Sequence, residues 1–226
     1  LTQAFADIED RAGSAAAVAF NTNTLTTGSS VFLVIFNSNR WSGHVYRYEL
    51  DPLDGSVSAA VTWDAADELD GRNITTTPRL ALTHDGTDGV TLEWANLTAA
   101  QKNDLKTNPA GGIDTDVKGQ ARLDYILGDR SNEAAGYNFR TRSSRLGDIV
   151  HSNPVHVGEP VMGWPDVAPF PTGAAAYSLW AQSLANRTEM LYVGTNSGFL
   201  HGFRASDAKE MFAYAPSHLF STNTNE

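Results

Sequence analysis

Two stretches of the chain repeat the same succession of apolar strands and polar turns. In the first stretch, the continuous apolar run at 31–36 predicts a strand that is buried on both faces. Period-two alternation at 44–50 predicts a half-buried strand, and residues 56–63 predict a third strand that ends at Trp63. Turns rich in Asn, Asp, Ser and Gly separate the three strands, as expected for an antiparallel unit.

The second stretch lies near the end of the chain. Strands are predicted at 190–194, 199–203 and 210–214, again separated by a Gly-containing turn and an Asp-containing turn. Antiparallel strand units that recur at this scale are typical of β-propeller blades. Because one blade cannot bury both faces of its small sheet, we expect neighbouring blades to stack. The predicted fold is therefore mainly β, a partial β-propeller with antiparallel blades and short helical insertions.

The sequence between the two repeats is less regular and carries the predicted helices. Thr98 is a candidate N-cap for one helix, and residues 120–127 predict a second short helix. Together they place a helical insertion near 95–140. A further alternating strand is predicted at 151–158, and the apolar segment at 174–185 predicts a packed helix.

The start of the chain has a different pattern. Leu1, Phe5 and Ile8 recur at helical spacing, so residues 1–20 predict an N-terminal connector helix or the tail of an upstream domain. Residues 21–226 are then expected to be the first part of a β-propeller domain. Since the chain begins without a basic and apolar leader pattern, either a signal peptide has been removed or this is an internal fragment. The pattern at 1–20 favours the fragment.

The net charge of the chain is −10, from 26 acidic and 16 basic residues. Nucleic acids and anionic membranes attract basic patches, so this charge argues against both as partners. No apolar stretch approaches the roughly 18 residues of a membrane-spanning helix, so no membrane insertion is expected. The absence of cysteine excludes disulfides, thiolate metal sites and cysteine nucleophiles.

The histidines and the acidic clusters do not predict a metal site. Zinc requires several converging ligands, and no HExxH or similar spacing occurs. His151 and His156 are five positions apart, so they would face opposite sides of one strand. We expect His151 and His201 to hydrogen-bond backbone groups between blades. The histidines are His44, His84, His151, His156, His201 and His218.

The acidic clusters at 67–71, 84–89 and 114–116 lack the alternating oxygen spacing of a calcium loop. The Gly-rich segment at 194–198 joins two predicted strands, whereas a phosphate cradle requires a helix N-terminus, so we interpret it as a turn. No nucleophile elbow or Ser-His-Asp set can be assigned. The sequence therefore predicts no enzyme, no catalytic, cofactor-binding or metal-binding residue, and no cofactor in this chain.

Charged and aromatic residues have two possible roles each. The guanidinium of an arginine can donate two hydrogen bonds to one carboxylate and so fix the insertion to the propeller body. We prefer this role to ligand binding. The candidates are Arg130, Glu133, Arg140 and Arg142. The tryptophans could form a sugar-stacking platform, but blade packing is the preferred interpretation, with Trp164 the candidate for surface exposure. They are Trp41, Trp63, Trp94, Trp164 and Trp180.

Three segments carry a family resemblance. Residues 146–155 (LGDIVHSNPV) and 191–203 (LYVGTNSGFLHGF) resemble segments of PilY1-type type IV pilus proteins, and residues 214–219 (YAPSHL) are similar to a third. Upstream residues follow the order of that family, namely 41–43, Trp63, 127–133 and 139–142. Two positions depart from it, since Arg204 stands where the family usually has Asp and Phe212 where quinoprotein repeats often have Trp.

The resemblance implies the early part of a C-terminal quinoprotein-like β-propeller that follows an upstream adhesion domain. It also implies a non-catalytic module of an extracellular pilus-tip adhesin or assembly factor, acting in pilus biogenesis and surface attachment. The implied partners are pilin or minor pilin subunits and a host or abiotic surface, with calcium bound elsewhere in the full-length protein. The alternatives are a fragment of a PQQ-dependent quinoprotein dehydrogenase and a plain assembly subunit without a ligand.

Overall fold

A computed structural model describes residues 17–21, 25–38 and 40–220. The helical pattern at Leu1, Phe5 and Ile8 lies outside these residues. The first sheet contains four strands in the order β1-β2-β3-β4, each antiparallel to its neighbour. The strands are β1 (Ala17–Phe20), β2 (Ser30–Asn37), β3 (Ser42–Glu49) and β4 (Trp63–Asp64).

The second sheet contains six strands in the order β6-β5-β10-β9-β8-β7. The last four in chain order form an antiparallel meander, and β5 pairs with β10 in parallel and with β6 in antiparallel orientation. The strands are β5 (Ala81–His84), β6 (Gly89–Thr91), β7 (Val155–Val157), β8 (Met190–Gly194), β9 (Leu200–Arg204) and β10 (Glu210–Tyr214).

The helices are short and lie between the strands. They are α1 (Ala65–Gly71), α2 (Ala99–Lys106), α3 (Asp116–Ile126) and α4 (Tyr177–Ser183), with 3₁₀ turns at Trp94–Asn96, Gly173–Ala175 and Ser217–Leu219. The predicted cap at Thr98 is confirmed, because its hydroxyl accepts from the Gln101 N–H and the Gln101 side chain returns to the Thr98 N–H. This is a capping box, which satisfies two backbone donors at once.

The main core lies between the two sheets. Phe32 and Val34 of β2 belong to the same buried cluster as Leu191 and Val193 of β8. The alternate residues of β2, including Val31 and Leu33, are buried in a second cluster on the other side of the first sheet. The prediction from the apolar run at 31–36 is therefore confirmed. Both faces of β2 are covered, because successive residues of a strand point to opposite sides of the sheet.

A third cluster joins the helices to the second sheet. It includes Leu105 of α2, Leu123 of α3, Phe199 and Ala213. Helices α2 and α3 thus pack against the part of the second sheet that carries β5 and β10.

The prediction of a mainly β structure with few helices is confirmed. Three local predictions are wrong. Residues 56–63 form only an isolated bridge at Val57 and the short β4, since the residues between them are mostly exposed and have no core to enter. The strand predicted at 151–158 is limited to β7. The helix predicted at 174–185 is present as α4, but none of its residues is buried.

Candidate functional site

Residues 146–152, called here the junction segment, run between the two sheets. Gly147 forms an antiparallel bridge with Ser42 at the start of β3. Leu146 and Ile149 are buried in the core that both sheets share. The Ser152 hydroxyl accepts a hydrogen bond of 3.0 Å from the Gly194 N–H at the end of β8. The segment therefore contacts the first sheet on one side and the second sheet on the other.

Asp148 fixes the junction segment to the turn between β8 and β9. Its carboxylate accepts a hydrogen bond of 2.7 Å from the Asn196 side chain, and its carbonyl accepts one of 2.9 Å from the Asn196 N–H. Residues 194–198 thus form the turn between β8 and β9, as predicted, and this turn is bonded to the junction segment.

Close packing of the junction segment requires glycine at positions 147 and 43. A Cβ built on it would lie 2.5 Å from the side chain of Ser197, and one built on Gly43 would lie 2.6 Å from the Gly147 carbonyl oxygen. Since real Cβ atoms do not approach so closely, larger residues at either position would force the sheets and the segment apart.

A buried ionic cluster links β9, β10 and the residues before β5. Arg79 donates two hydrogen bonds of 2.7 Å to the two carboxylate oxygens of Glu210. The Nδ1 atom of His201 lies 2.8 Å from Glu210 Oε1, and its Nε2 atom lies 3.2 Å from the Thr195 hydroxyl. The side chains of Arg79, Glu210 and His201 are all almost fully buried.

Opposing effects set the charges in this cluster. Burial raises the pKa of Glu210, but hydrogen bonds from His201 and Arg79 outweigh it and hold the pKa at about 2. Burial lowers the pKa of His201, against the opposing effect of Glu210. His201 is therefore neutral at pH 7, and its single proton belongs on Nδ1, which faces the acceptor-only carboxylate of Glu210. The prediction that His201 bonds to backbone is wrong, because its partners are side chains.

Of the predicted arginine ties, only that of Arg130 reaches beyond the insertion, whereas Arg142 pairs with the nearby Glu133. The contact recorded for Arg140 is through its backbone carbonyl, which accepts from the Tyr125 hydroxyl. Arg130 pairs with Asp70 of α1 at 2.9 Å, which does connect the insertion to the region of the first sheet. Arg142 pairs with Glu133 at 2.7 Å and lies 3.7 Å above the Tyr125 ring. These contacts order the loop after α3 and leave both side chains engaged within the protein.

Sequence reasoning missed Arg145. Its guanidinium lies within hydrogen-bond distance of the carbonyl oxygens of Leu69, Asp70 and Arg72, and of Gly128 after α3. A cation at these positions satisfies the free carbonyls at the end of α1. No local pattern identifies this role, because three of the four partners lie 73 to 76 residues upstream and all four are backbone atoms.

The other histidines have separate surroundings. His44 Nδ1 lies 2.7 Å from the carboxylate of Asp64, which also caps α1 by accepting from the Ala66 N–H. His156 stacks on Phe32 and lies 3.2 Å from Glu189. His151 does not lie in a strand and has a φ of 60°. Within the described ranges, no group of three or more His, Cys, Asp or Glu side chains is arranged to hold a metal ion.

The tryptophans divide between core and surface. Trp63 is buried and donates from its indole nitrogen to the Ala205 carbonyl at 3.1 Å, and Trp94 packs against the third cluster, which contains Leu105 and Leu123. Trp41, Trp164 and Trp180 are exposed. The prediction of an exposed Trp164 is therefore confirmed.

Several type IV pilus proteins match the chain over most of its length. The type IV pilus biogenesis factor PilY1 of Pseudomonas aeruginosa strain PAK is 36% identical over 187 residues, which cover 81% of this chain and 16% of that protein. A PilY1 homolog of Xylella fastidiosa is 31% identical over 205 residues, 90% of this chain and 15% of that protein. The chain belongs to the PilY1 family. It spans about one sixth of the length of these PilY1 relatives.

A second PilY1, from P. aeruginosa strain UCBPP-PA14, is 30% identical over 186 residues, 81% of this chain and 16% of that protein. No family model matches the chain, and no solved structure matches it. Two of the segments that carry the PilY1 resemblance, 146–155 and 191–203, contain the junction segment, the first residue of β7 and most of the β8–β9 hairpin. These two segments thus include the contacts that join the two sheets.

Among the residues that the structure covers, no helix is both long enough and apolar enough to cross a membrane.

Proposed function

We propose that this chain is a non-catalytic β-propeller segment of an extracellular, type IV pilus-associated protein that acts in pilus biogenesis and surface attachment. The observation that carries the proposal is the match over 81–90% of the chain to proteins named type IV pilus biogenesis factor PilY1 or PilY1 homolog. Its direct partners would be pilin or minor pilin subunits, and its attachment target a host or abiotic surface.

Two features of the sheets support a propeller. The first four strands and the last four strands are both antiparallel meanders, and they share one core. The outer face of the second sheet is also apolar, with Val155, Tyr192, Gly202 and Phe212 in one cross-strand row. Val155 is 55% exposed there. A sheet that buries one face and exposes an apolar second face is suited to receive another sheet.

In this proposal the buried ionic cluster of Arg79, His201 and Glu210 has a structural role. His201 and Glu210 are inaccessible to solvent and already bonded to Thr195 and Arg79. Reacting groups must reach a substrate, so these residues serve the fold. They hold the hairpin at β9 and β10 against the residues that precede β5.

A variant of the full-length gene tests the function. Gly147→Val disrupts the junction, and Gly71→Ala is the control because nothing lies within 4 Å of the added Cβ. Cells carrying Gly147→Val should show fewer surface pili by electron microscopy, while Gly71→Ala cells should resemble the wild type. An immunoblot for the exported protein accompanies the count.

Separate measurements divide the proposal into its parts. Normal pili with reduced attachment would assign the segment to adhesion alone, and fewer pili would assign it to assembly. A deletion of the whole segment that changes neither property would refute the proposed function. Quinone-dependent substrate oxidation by the purified full-length protein would refute its non-catalytic nature.

A further inference from the structure

Residues 158–189, called here the apolar excursion, join the neighbouring antiparallel strands β7 and β8. Hairpin loops usually need only about two to five residues, and much longer loops are commonly functional. From 160 to 186 the single charged residue is Asp166. This composition is unusual in an otherwise acidic chain and gives the excursion an apolar surface.

The apolar side chains of the excursion are exposed to solvent. Val161 is 77% exposed, and Trp164 and Trp180 are about half exposed. Contiguous exposed apolar surface of this kind marks an interaction site in soluble proteins. The exposed large side chains include Val161, Met162, Trp164, Val167, Leu179 and Trp180.

Internal contacts hold this surface in one arrangement. The Trp164 ring lies 5.5 Å from that of Tyr177, which in turn lies 5.5 Å from that of Trp180. The Met162 N–H donates to the Tyr177 hydroxyl at 3.0 Å, and the Ser178 N–H donates to Asp166 at 3.1 Å. The aromatic side chains are therefore positioned before any partner binds, which lowers the entropic cost of binding.

We infer that the apolar excursion is the docking surface for a folded protein partner with an apolar contact face bordered by Lys or Arg. Interface cores are enriched in aromatic residues and Met and depleted in charge, as the excursion is. Its charged residues are Glu159, Asp166, Arg187 and Glu189, a net charge of −2 from three carboxylates and one guanidinium. The whole chain carries −10, so a basic rim on the partner would be complementary.

The same features disfavour other occupants. An anionic membrane is attracted by Lys and Arg, and the excursion has only Arg187 at its end. Sugars stack on aromatic rings, but the exposed Val161, Val167 and Leu179 offer no ring face. A second copy of this chain would bring the same net negative charge instead of a basic rim.

This inference rests on the proposed function, which supplies the probe. Full-length protein is titrated with purified pilin and minor pilin subunits of the same pilus, and the dissociation constants are measured. Trp164→Ala and Trp180→Ala should each weaken binding at least about tenfold, as central aromatic residues of interfaces do. Trp41→Ala is the matched control, because Trp41 is 62% exposed but lies in the turn before β3. It should leave the affinity unchanged.

The outcomes separate the two proposals. If wild-type protein binds a subunit and both excursion variants bind it equally well, the docking surface is wrong and the proposed function stands. If wild-type protein binds no subunit, the pilin partnership of the proposed function fails, and the docking proposal fails with it. Binding to glycans, to neutral or anionic vesicles, or to a second copy that is lost in Trp164→Ala would identify a different occupant and overturn the inference. Thermal unfolding of each variant confirms that the fold is retained.

Discussion

The carboxylate of Glu210 accepts two hydrogen bonds from the guanidinium of Arg79, although the two residues are 131 positions apart in the chain. Arg79 lies just before β5 and Glu210 begins β10, and these two strands pair in parallel. A two-pronged pair of this kind fixes both the distance and the orientation of its partners. It therefore sets where the hairpin at β5 and β6 joins the C-terminal meander.

Replacing Arg79 by Met should strongly destabilise the protein. The change leaves the Glu210 carboxylate buried without its main partner, and breaking a buried ion pair typically costs about 3–5 kcal/mol. Chemical denaturation should show this loss in the free energy of unfolding. The double variant Arg79→Met and Glu210→Met should recover part of it, because no buried charge remains.

Arg204→Met is the matched control for this experiment. Arg204 pairs with Asp207 on the surface, where both side chains are well exposed and solvent screens their attraction. Its stability should remain close to that of the wild type. A similar loss in Arg79→Met and Arg204→Met would contradict the role assigned to the buried pair.

Stability should decrease at acid pH through Glu210. Its pKa is about 2 in the folded protein against an ordinary value of 4.5, so the unfolded state takes up a proton first as pH falls. The stabilisation is fully present above pH 4.5 and is lost progressively between pH 4.5 and 2. In Glu210→Gln this contribution is absent. The difference in unfolding free energy between wild type and variant should therefore be largest above pH 4.5 and shrink towards pH 2.

The neutral His201 adds a second acid-sensitive window. Burial lowers its pKa below 6.5, so between pH 6.5 and the folded value only the unfolded state is protonated, and stability again falls with pH. Because the pKa of His44 is shifted in the opposite direction, the His201 slope is measured as the difference in unfolding free energy between the wild type and His201→Gln from pH 7 to 5. A difference that does not change with pH would be inconsistent with a buried, neutral His201.

His44 should behave in the opposite way. The hydrogen bond from its ring to Asp64 raises its pKa above 6.5 despite partial burial. Its contribution to stability is present below pH 6.5 and is lost as pH rises through the folded pKa. Asp64→Asn removes the charge but keeps an N-cap for α1, so the pKa of His44 should fall. NMR titration measures it, and Asp67→Asn, a smaller contributor, should have a weaker effect.

Gly43→Ala should separate the junction segment from β3. The new Cβ would lie 2.6 Å from the Gly147 carbonyl and 2.7 Å from the Ile149 side chain, so backbone must move. Overpacking of this kind typically costs about 1–3 kcal/mol. Hydrogen exchange should become faster in residues 146–152, while Gly71→Ala should exchange as the wild type does. Unchanged protection in Gly43→Ala would show that the segment is not held by this contact.

Arg142→Lys tests whether the guanidinium shape matters. Arg142 also donates to the carbonyl oxygens of Tyr125 and Asp129, and a lysine cannot reach these and Glu133 together. We expect a loss of about 2 kcal/mol, as for buried hydrogen bonds to charged groups. Arg40→Lys, at an exposed position, should have little effect. Equal stability of the two variants would mean that charge alone is sufficient at position 142.

Much of the strand structure follows from local pattern. The apolar run at 31–36 and the alternation at 44–50 correspond to β2 and β3, and the predicted strands at the end of the chain correspond to β8, β9 and β10. These predictions succeed because alternation and turn residues act within a few positions. Hairpin β5–β6 was missed, since its four- and three-residue strands carry little pattern and gain their order from pairing with β10.

What the sequence alone determined was the strand repeat, the capping of α2 by Thr98, the absence of thiol chemistry and the family resemblance. The tertiary structure decided which polar residues became neighbours: Arg79 with Glu210, Asp148 with Asn196, and Arg145 with the end of α1. Those contacts join residues 48 to 131 positions apart, and no periodicity reports a partner at such a distance. Strands and turns can be predicted locally, because burial and turn geometry select residues a few positions apart. Pairs of charged residues cannot, because they depend on which segments the folded sheets bring together.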